Sequence, residues 1–149
     1  MLKGIPAIIS PELLKVLMEM GHGDEIVLAD GNFPAASKAR KLIRCDGHGI
    51  PELLEAIMKY FPLDIYVDKP VALMELVSGD DYDPVIWDEY KKIIAKYSPE
   101  QTDFAYIERF NFYDRAKKAY AIVATGEQAL YANIILKKGV VQSESENSS

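Results

Sequence analysis

A histidine and an aspartate flank the first strongly apolar run of the chain, and both side chains could transfer protons. His22 lies between Gly21 and Gly23, just before the run at 26–29, which Asp30 closes. Imidazole titrates closest to neutrality of all side chains, so it can both give and take a proton. The short apolar run is typical of a buried strand, and open α/β sheets bind ligands at the carboxyl ends of their strands. The pattern is therefore compatible with an acid–base site around His22 and Asp30.

Each candidate residue also has an ordinary structural explanation. His22 could be a solvated loop residue, and Asp30 could be a helix cap or a surface charge. Arg109, which follows a strand-like segment, could merely pair with a neighbouring carboxylate. Tyr113 and Tyr131 could be aromatic residues at the edge of the core, which is the commoner position of tyrosine. The residue types alone leave both interpretations open.

The patterns typical of bound cofactors are incomplete or missing. The segment Gly21-His22-Gly23 has no third glycine and precedes a strand, which is the wrong context for a dinucleotide site. There is no Gly-Lys-Ser/Thr phosphate loop and no Gly-x-Ser-x-Gly elbow. His22, Asp24 and Asp30 could in principle ligate a metal ion, but their spacing matches no known ligand motif. We therefore expect neither a metal ion nor another cofactor.

Composition is typical of a soluble globular protein. The chain has 149 residues, of which 49% are hydrophobic and 27% charged. Its formal net charge of −6 disfavours nucleic acid and anionic membranes as partners. The single cysteine, Cys45, cannot form an internal disulfide, and the first residues lack an apolar segment followed by a cleavage site. We expect a cytoplasmic protein that binds neither nucleic acid nor membranes.

Helix and strand patterns alternate along the chain. This alternation predicts one α/β domain over residues 1–141, with three α/β/α layers and a largely parallel or mixed central sheet. The polar residues 142–149 are predicted to be disordered. Cap and proline signals begin helices at Ser10-Pro11, Pro51 and Asp83-Pro84, and Asn111 with Asp114 resembles the capping pair of a short helix. Strand patterns cover 26–29, 42–43, 71–77, 104–107, 119–124 and 134–136.

Several longer segments resemble the L-fucose mutarotase family. The sister family, D-ribose pyranase, shares the Gly-His-Gly-Asp block but typically has Gly-Leu-Pro where this chain has Asn32-Phe33-Pro34. This difference favours the fucose branch. The likeness runs from about Leu2 to Gly139. It is carried by Ser-Pro-Glu-Leu-Leu at 10–14, Met-Gly-His-Gly-Asp-Glu-Ile at 20–26, Ala-Asp-Gly-Asn-Phe-Pro at 29–34, Glu-Arg-Phe-Asn-Phe-Tyr-Asp-Arg-Ala-Lys-Lys-Ala at 108–119, Ala-Thr-Gly-Glu at 124–127 and Tyr-Ala-Asn-Ile-Ile-Leu-Lys-Lys-Gly at 131–139.

The resemblance implies an isomerase that interconverts the α and β anomers of L-fucose without a cofactor. It implies His22 as the catalytic proton donor, and a homo-oligomer, dimeric or decameric, with the site at or near subunit contacts. A D-ribose pyranase, a mutarotase of broader specificity and a non-catalytic sugar-binding protein remain alternatives. The family usually has glycine at Ala132, where alanine would be strained if the backbone required a positive φ. The implied sugar-binding residues are Asp30, Asp64, Met74, Arg109, Tyr113, Tyr131 and Asn133.

Overall fold

The computed structural model describes residues 1–143, which alternate between helices and strands as the sequence predicts. Helices and strands are numbered separately in chain order. They are α1 (Pro11–Glu19), β1 (Glu25–Ala29), α2 (Ala35–Lys38), β2 (Leu42–Cys45), α3 (Ile50–Met58), β3 (Val71–Met74), α4 (Val85–Tyr97), β4 (Ala105–Ile107), α5 (Arg109–Lys118), β5 (Ala121–Thr125) and β6 (Ile134–Lys137).

The six strands form one mixed sheet in the order β2-β5-β1-β6-β3-β4. Strand β5 pairs in parallel with β1 and β2, and β3 pairs in parallel with β4. Strand β6 runs antiparallel to both of its neighbours, β1 and β3. The carboxyl ends of β1 and β3 and the beginning of β6 therefore meet at one edge of the sheet, where their loops can form a common site.

Helices cover both faces of the sheet, which confirms the three-layer α/β/α prediction. Along β1, Ile26 and Leu28 pack with α1, α3 and α4, whereas Val27 packs with α2 and α5. Because successive side chains of a strand point to opposite faces, this continuous apolar run serves two cores. The largest fully buried side chains are Tyr90 in the first core and Phe112 in the second.

The predicted start of α1 is confirmed, whereas the capping predictions for α4 and α5 are wrong. The Ser10 side chain accepts a hydrogen bond from the Leu13 N–H, at 3.1 Å. Asp83 does not cap α4, since that helix begins directly after Pro84 without a side-chain cap. Helix α5 is capped by Glu108, whose carboxylate accepts from the Asn111 N–H at 3.0 Å. Asn111 thus lies inside α5, because the chain turns into the helix one residue after β4.

Two further features differ from the sequence predictions. The short helix α2 has no side-chain cap and was not predicted. The third strand ends at Met74 instead of residue 77, and the chain turns at residues 77–80, where the Asp80 N–H donates to the Val77 oxygen at 2.9 Å. Residues 142 and 143 belong to neither a helix nor a strand, and the remainder of the predicted disordered tail lies outside the described residues. Over residues 1–143, none of the helices is both long and apolar enough to cross a membrane.

Candidate functional site

A pocket of about 320 Å³ lies where β1 and β3 end and β6 begins. One part of its wall is polar and the other is apolar, so it suits a small ligand that has both hydroxyl groups and apolar faces. The polar part consists of Asp30, Asn32, Asp80, Arg109, Tyr131 and Asn133, and the apolar part of Phe33, Met74, Val77, Tyr113 and Leu130.

The pocket brings together most of the residues that the sequence singled out. Residues from four separate parts of the chain meet here, because the mixed sheet places their strand ends side by side. Sequence reasoning missed Val77, because it was assigned to the end of a strand, and it missed Asp80, because the loop that contains Asp80 carries no periodic pattern. The predicted site residues found in the pocket are Asp30, Met74, Arg109, Tyr113, Tyr131 and Asn133.

Asp30 is a buried carboxylic acid at the end of β1. Its backbone N–H donates to the Asn133 Oδ1 at 2.7 Å, and its own Oδ1 accepts from the Asn32 N–H at 3.0 Å. Burial raises the pKa of Asp30, and the nearby Glu127 charge adds to this, although hydrogen bonds from the Asn32 and Phe33 amides oppose it. The fold therefore holds a carboxylate where solvation is poor, which is typical of a functional position.

We expect Asp30→Asn to raise the melting temperature at neutral pH while it weakens ligand binding. A raised native pKa means that the folded state binds more protons than the unfolded state, so stability falls as pH rises from about 3.8 through the native pKa. The amide has no charge to desolvate, and it should therefore lose this pH dependence. Thermal unfolding of both proteins between pH 3 and 8 measures the effect. A lower melting temperature for Asp30→Asn at pH 7 would contradict it.

Tyr131 has a backbone conformation that is unusual for a residue other than glycine. Its φ is +57°, and the indole Nε1–H of Trp87 donates to its carbonyl oxygen at 2.7 Å. The hydroxyl of Tyr90 donates to the next carbonyl, that of Ala132, at 2.6 Å. Such strain costs about 1–3 kcal/mol and persists only where neighbouring contacts enforce it. The positive φ belongs to Tyr131 and not to Ala132, so the alanine at 132 is unstrained.

Aromatic side chains form the apolar wall of the pocket. Phe33 meets Tyr113 edge to face, with ring centroids 5.4 Å apart, and it meets Phe112 in the same way at 6.2 Å. Met74 closes the wall at the end of β3. The Arg109 guanidinium lies over the Phe110 ring at 4.7 Å, which leaves its edge available for hydrogen bonds.

His22 and Asp64 form a second group. The His22 Nε2 lies 3.0 Å from the Asp64 Oδ1, which also accepts from the Tyr66 N–H at 3.0 Å. Burial by itself would raise the pKa of Asp64, but the hydrogen bonds from the Tyr66 amide and His22 outweigh it and lower the pKa. Asp64 is thus a buried, ionised partner of an imidazole that is 47% exposed.

This His22–Asp64 pair lies at the opposite end of β1 from the pocket. Gly23, next to His22, is fixed at this end of the sheet because its N–H donates to the Lys138 oxygen at 2.8 Å, just beyond the end of β6. The five residues of β1 span about 17 Å. The structure of one chain therefore does not bring His22 or Asp64 to the pocket that contains Asp30.

Gly139 explains how Asp64 is kept in place. A Cβ at this position would lie 2.5 Å from the Leu63 oxygen and 2.8 Å from the Asp64 Cα, closer than real contacts allow. The backbone of Asp64 is packed directly against it, with the Gly139 N–H bonded to the Pro62 oxygen at 2.7 Å. Any side chain at 139 would displace the backbone that carries the partner of His22.

The fold and the pocket together define a three-layer α/β protein whose pocket has one polar and one apolar wall. Within residues 1–143, no three His, Cys, Asp or Glu side chains cluster in a way that could hold a metal ion. The chain belongs to the RbsD / FucU transport protein family, which matches residues 3–141.

Three comparisons show how close the relatives are. Human fucose mutarotase is 56% identical over 146 residues, and the match covers 94% of each chain. The crystal structure of the Streptococcus pneumoniae fucose mutarotase in complex with L-fucose is 62% identical, with a TM-score of 0.91. That match covers 95% of this chain and 100% of the other. Bacillus subtilis RbsD complexed with D-ribose shares the fold, with a TM-score of 0.72, 24% identity and coverage of 95% and 100%.

Proposed function

We propose that this protein is an L-fucose mutarotase, an isomerase that interconverts the α and β anomers of the sugar without a cofactor. The observation that carries the proposal is the pocket in which Asp30, Arg109, Tyr131 and Asn133 face an aromatic wall. Relatives that match nearly the whole chain at 56–62% identity are named fucose mutarotases. The cytoplasmic location indicated by the composition remains a prediction.

The pocket residues have different tasks in this proposal. Asp30 and Arg109 hold sugar hydroxyls through charge-assisted hydrogen bonds, which are stronger than neutral ones. Asn133 fixes the backbone of Asp30 and so orients its carboxylate. Tyr113 and Met74, beside Phe33, cover the apolar face of the sugar and its methyl group. No nucleophile from the protein is required, because the bond that breaks and reforms joins the anomeric carbon to the sugar's own ring oxygen, and the protein only has to move protons.

Mutarotation opens the hemiacetal, rotates the aldehyde and recloses the ring. Opening requires a base for the anomeric hydroxyl and an acid for the ring oxygen, and closing reverses both roles. We assign the proton donor to His22, because imidazole serves in both roles near neutrality. Asp64 accepts the Nε2–H of this ring and favours the tautomer in which Nδ1 is free to exchange protons with the sugar. In this proposal Asp64 positions His22, and the contact of Asp64 with the sugar that the resemblance implies stays a prediction.

A second copy of the chain supplies His22 to each pocket in this proposal. The pair of His22 and Asp64 is separated from the pocket by the length of β1 within one chain. The surfaces at both ends of β1 carry exposed apolar side chains that a neighbouring copy could cover. They are Ile65 and Tyr66 beside His22, and Val77, Phe110 and Leu130 beside the pocket. A contact between these two different surfaces, repeated from copy to copy, closes into a ring when the rotation allows.

Arg109→Lys should weaken L-fucose binding about tenfold, because lysine cannot reproduce the planar fork of a guanidinium. Titration calorimetry with L-fucose measures the affinity. Arg40→Lys is the matched control, since Arg40 contacts the Lys118 carbonyl and lies outside the pocket. Equal affinities of wild type and Arg109→Lys would remove Arg109 from the binding site.

Polarimetry tests the proposed activity against its alternatives. Freshly dissolved α-L-fucose should reach its equilibrium rotation faster in the presence of the protein, whereas D-ribose should respond more weakly. A faster approach to equilibrium with ribose alone would identify a pyranase. Binding of fucose without any acceleration would identify a sugar-binding protein, and either result would reject the proposal.

A further inference from the structure

Asp80 makes two hydrogen bonds, one with each carboxylate oxygen. Its Oδ2 accepts the hydroxyl proton of Tyr131 at 2.6 Å, and its Oδ1 accepts the Tyr82 N–H at 3.0 Å. The Tyr82 ring stacks on the Tyr131 ring, with centroids 6.0 Å apart and an interplanar angle of 24°. Both Asp80 and Tyr131 line the pocket. The loop after β3 thus holds the phenol from one side.

Among the described residues, the Tyr131 hydroxyl has hydrogen-bond partners for its proton and for one lone pair, which leaves one lone pair free. Its proton is directed to Asp80, and one of its lone pairs accepts the Val77 N–H at 3.2 Å. A phenolic oxygen offers one donor and acceptor capacity on its lone pairs. Because the proton is already engaged, the remaining capacity can only accept.

We propose that Asp80 is a positioning residue that fixes the Tyr131 hydroxyl as a hydrogen-bond acceptor for a donating hydroxyl of the bound sugar. This inference rests on the proposed function. It assigns a direction to one hydrogen bond of the site, since one sugar hydroxyl must donate to the Tyr131 oxygen. The strained backbone of Tyr131, held by Trp87, presents the phenol to that hydroxyl.

The charges around the phenol agree with a hydrogen bond in which Tyr131 donates to Asp80. The hydrogen bond to Asp80 raises the pKa of Tyr131, although the Val77 amide and the Arg109 charge act in the opposite direction. Hydrogen bonds from Tyr131 and the Tyr82 amide lower the pKa of Asp80. At neutral pH the carboxylate is therefore ionised and the phenol keeps its proton.

Asp80→Asn reverses the direction of the hydrogen bond between residue 80 and the Tyr131 hydroxyl, and it keeps the contact between the loop and the phenol. The Tyr82 N–H can only donate, so the amide oxygen must face it and the amide NH₂ must face Tyr131. Two donors then occupy the phenolic oxygen, and its acceptor position is lost. Tyr131→Phe removes the same position by deleting the hydroxyl. Asp81→Asn, which changes the neighbouring exposed carboxylate, is the matched control.

The experiment is a double-mutant cycle on kcat/KM for fucose anomer exchange. Asp80→Asn and Tyr131→Phe should each lower kcat/KM about fivefold, the double variant should equal Tyr131→Phe, and Asp81→Asn should equal wild type. Losses that multiply in the double variant, or wild-type kcat/KM in Asp80→Asn, would overturn the inference.

A second measurement does not depend on activity. NMR of tyrosine labelled at Cζ, with Tyr131→Phe to assign the resonance, should show a lower pKa of Tyr131 in Asp80→Asn than in wild type. An unchanged pKa would overturn the inference. Absence of any exchange with wild-type protein would reject the proposed function instead, and the titration would still decide whether Asp80 controls the phenol.

Discussion

His22→Ala is expected to lower the rate of fucose anomer exchange by about two orders of magnitude or more, the usual contribution of a general acid–base residue. Fucose affinity should change little, because the proposed binding contacts come from the Asp30 pocket. Magnetisation-transfer NMR on equilibrated L-fucose measures the rate, and titration calorimetry measures the affinity.

The matched control is His48→Ala. His48 also lies between two glycines and also faces a carboxylate, with its Nδ1 3.4 Å from the Glu52 Oε1. His48 does not line the pocket, so its loss should leave the exchange rate unchanged. Near wild-type exchange in His22→Ala would remove this residue from the mechanism.

Two inactive variants are expected to restore activity when they are combined in one oligomer. His22→Ala keeps an intact pocket, and Arg109→Ala keeps an intact imidazole. If each site takes its pocket from one copy and its His22 from a neighbour, about a quarter of the sites in an equal mixture should be complete. Co-expression with two affinity tags, followed by exchange NMR on the mixed oligomer, measures the recovery.

The mixed oligomer needs a control for incomplete association. Light scattering after tandem affinity purification should show the same particle mass as wild type. A mixed oligomer of this mass with no more activity than either parent would contradict a site shared between copies. It would require His22 to act within its own chain or not at all.

The alternation of patterns was sufficient to predict the layers of the fold and the position of Asp30. A continuous apolar run such as 26–29 is buried on both faces, and the end of such a strand is a common ligand site. The predicted layers followed from the helices that separate the strands. The strand β6 was predicted, but the sequence carries no signal for its antiparallel direction, because pairing direction depends on contacts distant in sequence.

Contacts between distant segments explain what the sequence could not indicate. His22 precedes Asp30 by only eight residues, yet β1 runs between them and places them at opposite ends of the sheet. The partner of His22 is Asp64, 42 residues away. Asp80 reaches Tyr131 across 51 residues, from a loop without periodicity. Neither pairing has a local sequence pattern, since both depend on the packed sheet.

The most direct test of the central proposal is magnetisation transfer between the two anomeric protons of equilibrated L-fucose, with and without wild-type protein. Inversion of the α signal should pass to the β signal at a rate that rises in proportion to protein concentration. Dialysis against a chelator should leave that rate unchanged, because the proposed mechanism uses only side chains. Transfer that stays at the rate of protein-free solution, under conditions where calorimetry detects fucose binding, would contradict the assignment of this protein as a mutarotase.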